Sequence, residues 1–130
     1  MISTTTAIIL IDHGSKKQSA NTLLLDVVDL FKVTSGASIV EPAHMELAEP
    51  TLIDAYAACA DQGATEVVIF PYFLAPGRHS TSDIPRLAEE AAALFPLIPY
   101  RVTEPLGLDT RITEVIAQRI HEASDTPWRK

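Results

Sequence analysis

The sequence predicts an α/β fold, a parallel sheet flanked by helices, and three observations carry that prediction. Four short apolar runs alternate with four longer segments of helical periodicity, as in successive βα units. The third run, Val67-Val68-Ile69-Phe70, is continuously apolar, as expected of a strand with helices on both faces. Histidines and carboxylates follow the first three runs, at the end where open parallel sheets bind ligands.

The first strand is expected over about Ala7 to Ile11. The helix after it carries one apolar stripe through Leu23, Leu24, Val27, Val28 and Phe31, and Gly36 ends it. A second strand follows over roughly Ala37 to Glu41, then a turn at Pro42 and a helix from Pro50, a residue suited to a first helical turn. Gly63 ends that helix. The stretch Thr65 to Phe73 holds the third strand, expected at the centre of the sheet. The loop LAPGRHSTSDIP leads to an alanine-rich helix from about Ser82 to Phe95, with Pro85 tolerable only in its first turn. A fourth strand near Ile98 to Thr103 and a helix from about Asp109 to Ala123 complete the pattern. One domain is expected over residues 1–130, ordered from about 7 to 123, with SDTPWRK as a loose tail.

Composition excludes several classes of function. With 130 residues and 47% hydrophobic content, the chain can bury a core without covalent staples. A formal net charge of -7 and no polybasic run argue against nucleic-acid binding, which needs a basic face to replace counterions. One cysteine, Cys59, makes neither an intramolecular disulfide nor a multi-thiolate metal site, so a cytoplasmic location is expected. No charged region precedes the first apolar run, and that run stops at Asp12, so neither targeting nor membrane insertion is expected.

His13 follows the first strand, His44 and Glu46 the second, and Arg78 and His79 the third. His13, Glu46 and His79 are evenly spaced, about one βα unit apart, so three consecutive loops bring two imidazoles and a carboxylate to one edge. Singly, His13 also reads as a turn residue, Glu46 as a solvated acid and His79 as a loop residue beside the capping hydroxyls Ser80, Thr81 and Ser82. Together they suit a borderline divalent metal and proton transfer near neutrality. His44 either joins the site or packs beside Met45, and His121 belongs to a surface or an interface.

Other readings of the same residues stay open. Gly14, Ser15, Lys16 and Lys17 precede a helix N-terminus and form an anion cradle. A phosphate-ester hydrolase with a nucleophilic histidine would carry arginine where this chain has Asp12, and so would lack its phosphate clamp. A flavodoxin-shaped binding domain leaves both histidines unexplained, and a non-catalytic metal or tetrapyrrole carrier uses them without turnover.

The motifs IDHGS, EPAHMELAEPT and PYFLAPGRHSTSDIP resemble those of the sirohydrochlorin chelatases, the small class II tetrapyrrole chelatases of siroheme and cobalamin synthesis. The likeness runs from about Ile8 to Ile120. It implies a chelatase-like three-layer sandwich with a four-stranded parallel sheet, and insertion of Co2+ or Fe2+ into sirohydrochlorin without a nucleotide. Carried onto this chain, His13 and His79 bind metal, and together with Glu46 they are the catalytic residues. Sirohydrochlorin is a polycarboxylate, so Ser15, Lys16, Lys17, Arg78, Ser80 and Thr81 are candidates to hold it, with Met45, Leu47, Phe73 and Leu74 against its flat face. Longer relatives hold two such domains, so a homodimer is implied here. Plant members carry extra cysteines for an iron-sulfur cluster, and Cys59 alone implies none.

Overall fold

Strands β1 (Thr6–Asp12), β2 (Ile39–His44), β3 (Glu66–Pro71) and β4 (Tyr100–Val102) pair in parallel in the order β2-β1-β3-β4. The structure, a computed structural model, describes residues 2–77 and 79–129, with 79 and 80 described by backbone alone. The strand order reverses direction at β1, so the connections after β1 and β3 diverge and leave a crevice between them. Right-handed crossovers then place α1 (Gln18–Ser35) on one face, and α2 (Leu52–Asp61) and α3 (Ile84–Ala93) on the other.

The alternation of β1 follows from this layering. Ala7, Ile9 and Ile11 face the core under α2 and α3, joined by Val67, Ile69, Tyr56 and Ile84. Ile8 and Leu10 face α1 and meet Leu24, Val28 and Val40. The inner strands β1 and β3 are thus apolar on both faces. The α1 stripe is narrower than expected: Leu24 and Val28 are buried with Asn21, whereas Leu23 is exposed. Gly36 ends α1 in the left-handed region, its N–H donating to the Lys32 carbonyl.

Three boundaries differ from the sequence expectation. β2 does not turn at Pro42 but continues to His44, because it is an edge strand, where a residue without an N–H is tolerated. α2 starts after Pro50: the Pro50 carbonyl accepts the His44 N–H at 2.8 Å, and Thr51 caps the helix in a reciprocal box with Asp54. β4 covers only Tyr100–Val102, preceded by Pro99, which has no N–H to extend the ladder. A π-helical turn over His79–Asp83 leads into α3, and Pro85 falls in the first turn of the helix. The last helix, α4 (Thr110–Glu122), is capped by Asp109 accepting the Arg111 N–H, and none of its residues is buried. No helix among the described residues is long and apolar enough to cross a membrane.

Candidate active site

The β1–β2 ladder does not stop where the strands end. The Met45 N–H donates to the Asp12 carbonyl at 2.8 Å and the Glu46 N–H to the His13 carbonyl at 3.1 Å, so the two loops leave the sheet side by side. This continuation sets His13 Nε2 2.8 Å from Glu46 Oε1. Both side chains are partly open, 41% and 53% exposed, so the pair can meet a ligand from solvent.

Gly14 makes that approach possible. Its φ is +92°, and a Cβ there would lie 1.9 Å from the Glu46 carbonyl oxygen, inside any allowed contact. Leu47, directly after Glu46, also has a positive φ, 70°. Such a conformation costs a non-glycine residue about 1–3 kcal/mol and persists where surrounding structure holds it.

Beneath the open pair lies a second one, its imidazole buried. Asp12 and His44 are partners in the ladder, and His44 Nδ1 lies 2.6 Å from Asp12 Oδ1. His44 is only 2% exposed. It therefore neither enters the site nor merely packs beside Met45; it anchors the residue that precedes His13.

On the other side of His13, Asn21 clamps the loop. Its Oδ1 accepts the Ser15 N–H at 3.0 Å, and its Nδ2 donates to the Ser15 carbonyl at 2.7 Å. Sequence reasoning missed Asn21. The available signal was its place on the same helix face as Leu24 and Val28, where a buried polar side chain needs a partner.

A cavity of about 250 Å³ opens at this point, lined by His13, Gly14, Ser15, Asn21, Tyr72 and Phe73. The two aromatics come from the end of β3, where the Tyr72 N–H donates to the Ile11 carbonyl at 2.7 Å. The cavity thus has an imidazole and loop amides on one side and aromatic faces on the other. Phe73 also packs against the core, as does Met45, whereas Leu47 and Leu74 are exposed.

Lys16 and Lys17 are exposed between Ser15 and the start of α1, whose first turn holds no acid. Their ammonium groups and the helix N-terminus favour an anion there. Thr81 is tied into the π-helical turn, its hydroxyl donating to the Gly77 carbonyl at 2.7 Å. Arg78 and the side chains of His79 and Ser80 lie outside the described residues. The backbone at His79 begins the turn that follows β3, on the same edge as His13 and Glu46. His121 is exposed in the last turn of α4.

Among the described residues, no three His, Cys, Asp or Glu side chains converge as a metal cage. The His13–Glu46 pair combines a borderline nitrogen donor with a carboxylate, groups able to meet a divalent metal and to exchange a proton. Cys59 lies on the buried face of α2, and burial pushes its thiol up to about 12.

The CbiX family model matches residues 7–123. The chain is 49% identical over 113 residues to the chloroplastic sirohydrochlorin ferrochelatase of Arabidopsis thaliana, covering 87% of this chain and 50% of that protein. It is 32% identical to the sirohydrochlorin cobaltochelatase of Methanosarcina acetivorans, covering 89% of this chain and 95% of that one. The structure of SirB from Bacillus subtilis with Fe3+ superposes with a TM-score of 0.85 at 26% identity, over 96% of this chain and 49% of SirB. The chain therefore spans about half the length of the Arabidopsis and Bacillus proteins and nearly all of the Methanosarcina one.

Proposed function

The chain belongs to the CbiX family of sirohydrochlorin chelatases, and from that premise we propose that it inserts a divalent metal, Co2+ or Fe2+, into sirohydrochlorin. The observation that carries this reading is the 2.8 Å His13–Glu46 pair, open to solvent at the carboxyl edge of the sheet beside an aromatic-walled cavity.

Insertion exchanges two pyrrole protons for one metal ion. The site must take the ion from its water, hold it near the ring and receive the protons. His13 offers a nitrogen lone pair to the incoming metal, and Glu46, in hydrogen-bond reach of it, is a base for a pyrrole proton. His79, in the loop after β3, is the second imidazole of this proposal and shares metal delivery with His13. Tyr72 and Phe73 present flat apolar surface to the macrocycle. Ser15, Lys16, Lys17, Arg78, Ser80 and Thr81 are the proposed partners of its carboxylates, and the lysines raise the local positive potential in a chain of net charge -7. No nucleotide or iron-sulfur cluster takes part.

The pocket is smaller than the roughly 300–1,000 Å³ typical of ligand sites, so one copy covers only part of a tetrapyrrole. Two copies of this chain match the length of one Arabidopsis or Bacillus relative. A homodimer that closes a cleft over sirohydrochlorin is part of this proposal. The single buried thiol asks for no oxidising compartment, and the cytoplasm is the proposed location.

The test is direct. Purified protein is incubated with sirohydrochlorin and Co2+ or Fe2+, and the absorption spectrum is followed. Insertion faster than the protein-free control is expected, with direct competition between the metals ranking them. Rates no faster than the control with both metals overturn the enzyme reading, and binding without turnover identifies a carrier instead.

A further inference from the structure

α1 begins without a side-chain cap. Its N-cap residue is Lys17, whose side chain makes no capping bond, although an asparagine stands four residues further on. Asparagine is favoured at the N-cap and disfavoured inside a helix, where its amide competes with the backbone. Asn21 nevertheless lies inside α1, on the face that buries Leu24 and Val28, and is only 6% exposed. A leucine at this place would suit both the helix and the core better. The residue therefore serves something other than α1.

Both ends of its amide go to one residue of the site loop. Oδ1 accepts the Ser15 N–H at 3.0 Å, and Nδ2 donates to the Ser15 carbonyl at 2.7 Å. Aspartate lacks the donor and leucine lacks both groups, so only an amide of this reach closes the two bonds. The Ser15 hydroxyl in turn accepts the Lys17 N–H at 3.0 Å, which ties the loop to the start of α1. On the other side of Gly14 lies a second anchor, the Glu46 N–H on the His13 carbonyl at 3.1 Å. One glycine, held at a φ of +92°, thus separates the end of the β1–β2 ladder from the Asn21 clamp. Glycine has the widest backbone freedom of any residue, and the last bond of a ladder frays unless the chain beyond it is held.

We propose that Asn21 is a positioning residue for metal insertion: by fixing Ser15 it immobilises Gly14 and keeps the His13 imidazole on Glu46, 2.8 Å away. This rests on the chelatase reading above and extends it to a side chain whose own polar atoms are both spent on backbone. Asn21 neither binds the metal nor takes a proton. It sets where the groups that do so stand, and a displacement of about 1 Å in such groups costs roughly 10²-fold in rate. The buried polar residue on an otherwise apolar helix face is explained by this task, since the two bonds satisfy its amide fully.

The test uses the full chain with Asn21→Ala and Asn21→Leu. Both variants lose the two bonds, but leucine keeps the helix face apolar and filled, which guards against loss of the fold. Amide hydrogen exchange is followed by NMR, and Co2+ insertion into sirohydrochlorin is measured below the melting transition of every sample. In both variants exchange at the Glu46 N–H should accelerate at least ten-fold more than at the Val67 N–H, which is bonded to the Pro99 carbonyl within the sheet. The kcat should fall about ten- to a hundred-fold in both, with the KM for sirohydrochlorin within about three-fold. Equal acceleration at the two amides, or none at Glu46, overturns the inference whatever the activity. So does a kcat within about two-fold of the unmodified protein, or a loss in Asn21→Ala that Asn21→Leu restores, since filling the space would then be the whole role. Unmodified protein that inserts metal no faster than the protein-free control overturns the chelatase reading and the inference together; failure in the variants beside an active parent leaves that reading standing.

Discussion

His44 Nδ1 lies 2.6 Å from Asp12 Oδ1, and this pair, its imidazole buried, sits directly behind the open His13–Glu46 pair, one residue before His13 and two before Glu46. The inner imidazole is shielded while both members of the outer pair meet solvent. The rigid pair holds the strand ends in register, and the backbone bonds from Met45 and Glu46 carry that register into the loops. Asp12→Ala removes the partner of a buried nitrogen and should cost about 1–3 kcal/mol. Asp12→Asn, which keeps a hydrogen-bonding oxygen, should cost clearly less. Urea denaturation of both variants checks the difference.

The open pair should behave in the opposite way. Glu46→Gln and His13→Ala lie on exposed loops, so each should change stability by no more than about 0.5 kcal/mol. Loss of a proton-transfer group should lower the insertion rate by roughly 10²–10⁴-fold. Initial rates with Co2+, set beside melting curves for the same samples, separate the two effects; a large loss of stability with a small loss of rate would contradict the assigned roles.

Gly14→Ala should damage both fold and activity. The new Cβ meets the Glu46 carbonyl and the backbone sits at a φ of +92°, so neither a rotamer change nor a side-chain shift relieves the contact. Left-handed strain alone is worth about 1–3 kcal/mol, and the clash pushes Glu46 away from His13. Denaturation midpoints report the first effect and insertion assays the second.

Alkaline pH should weaken the fold through its core. Burial raises the Cys59 thiol to about 12 and is the largest cause of the rise of the Tyr56 hydroxyl to about 12, its proton given to the Ile98 carbonyl at 2.6 Å. Both groups stay neutral in the folded protein while their unfolded counterparts ionise near 8.5 and 10. Their contribution is therefore intact below about 8.5 and is lost as pH rises toward about 12. Denaturation midpoints measured from pH 7 to pH 11 should fall above pH 9. Thiol reagents should label Cys59 only once the protein unfolds.

Much of the fold was legible because its physics is local. The apolar runs of β1 and β3, the helical stripes and Gly36 each act within a few residues. The placement of His13, His44 and Glu46 at one sheet edge followed from βα topology. Pro42 and Pro50 misled because local rules read proline as a turn or a helix start. Edge position made Pro42 harmless in β2, and the Thr51–Asp54 box took over the start of α2.

The sequence by itself determined the α/β class, the family and the edge where chemistry gathers, since periodicity and motif are written in neighbouring residues. Only the tertiary structure decided that His13 pairs with Glu46 while His44 is buried against Asp12. It alone showed Asn21 clamping Ser15 and α4 left without cover on its own domain. These depend on which strands lie side by side and where connectors are pinned, and such contacts between distant segments exist only after the chain has folded.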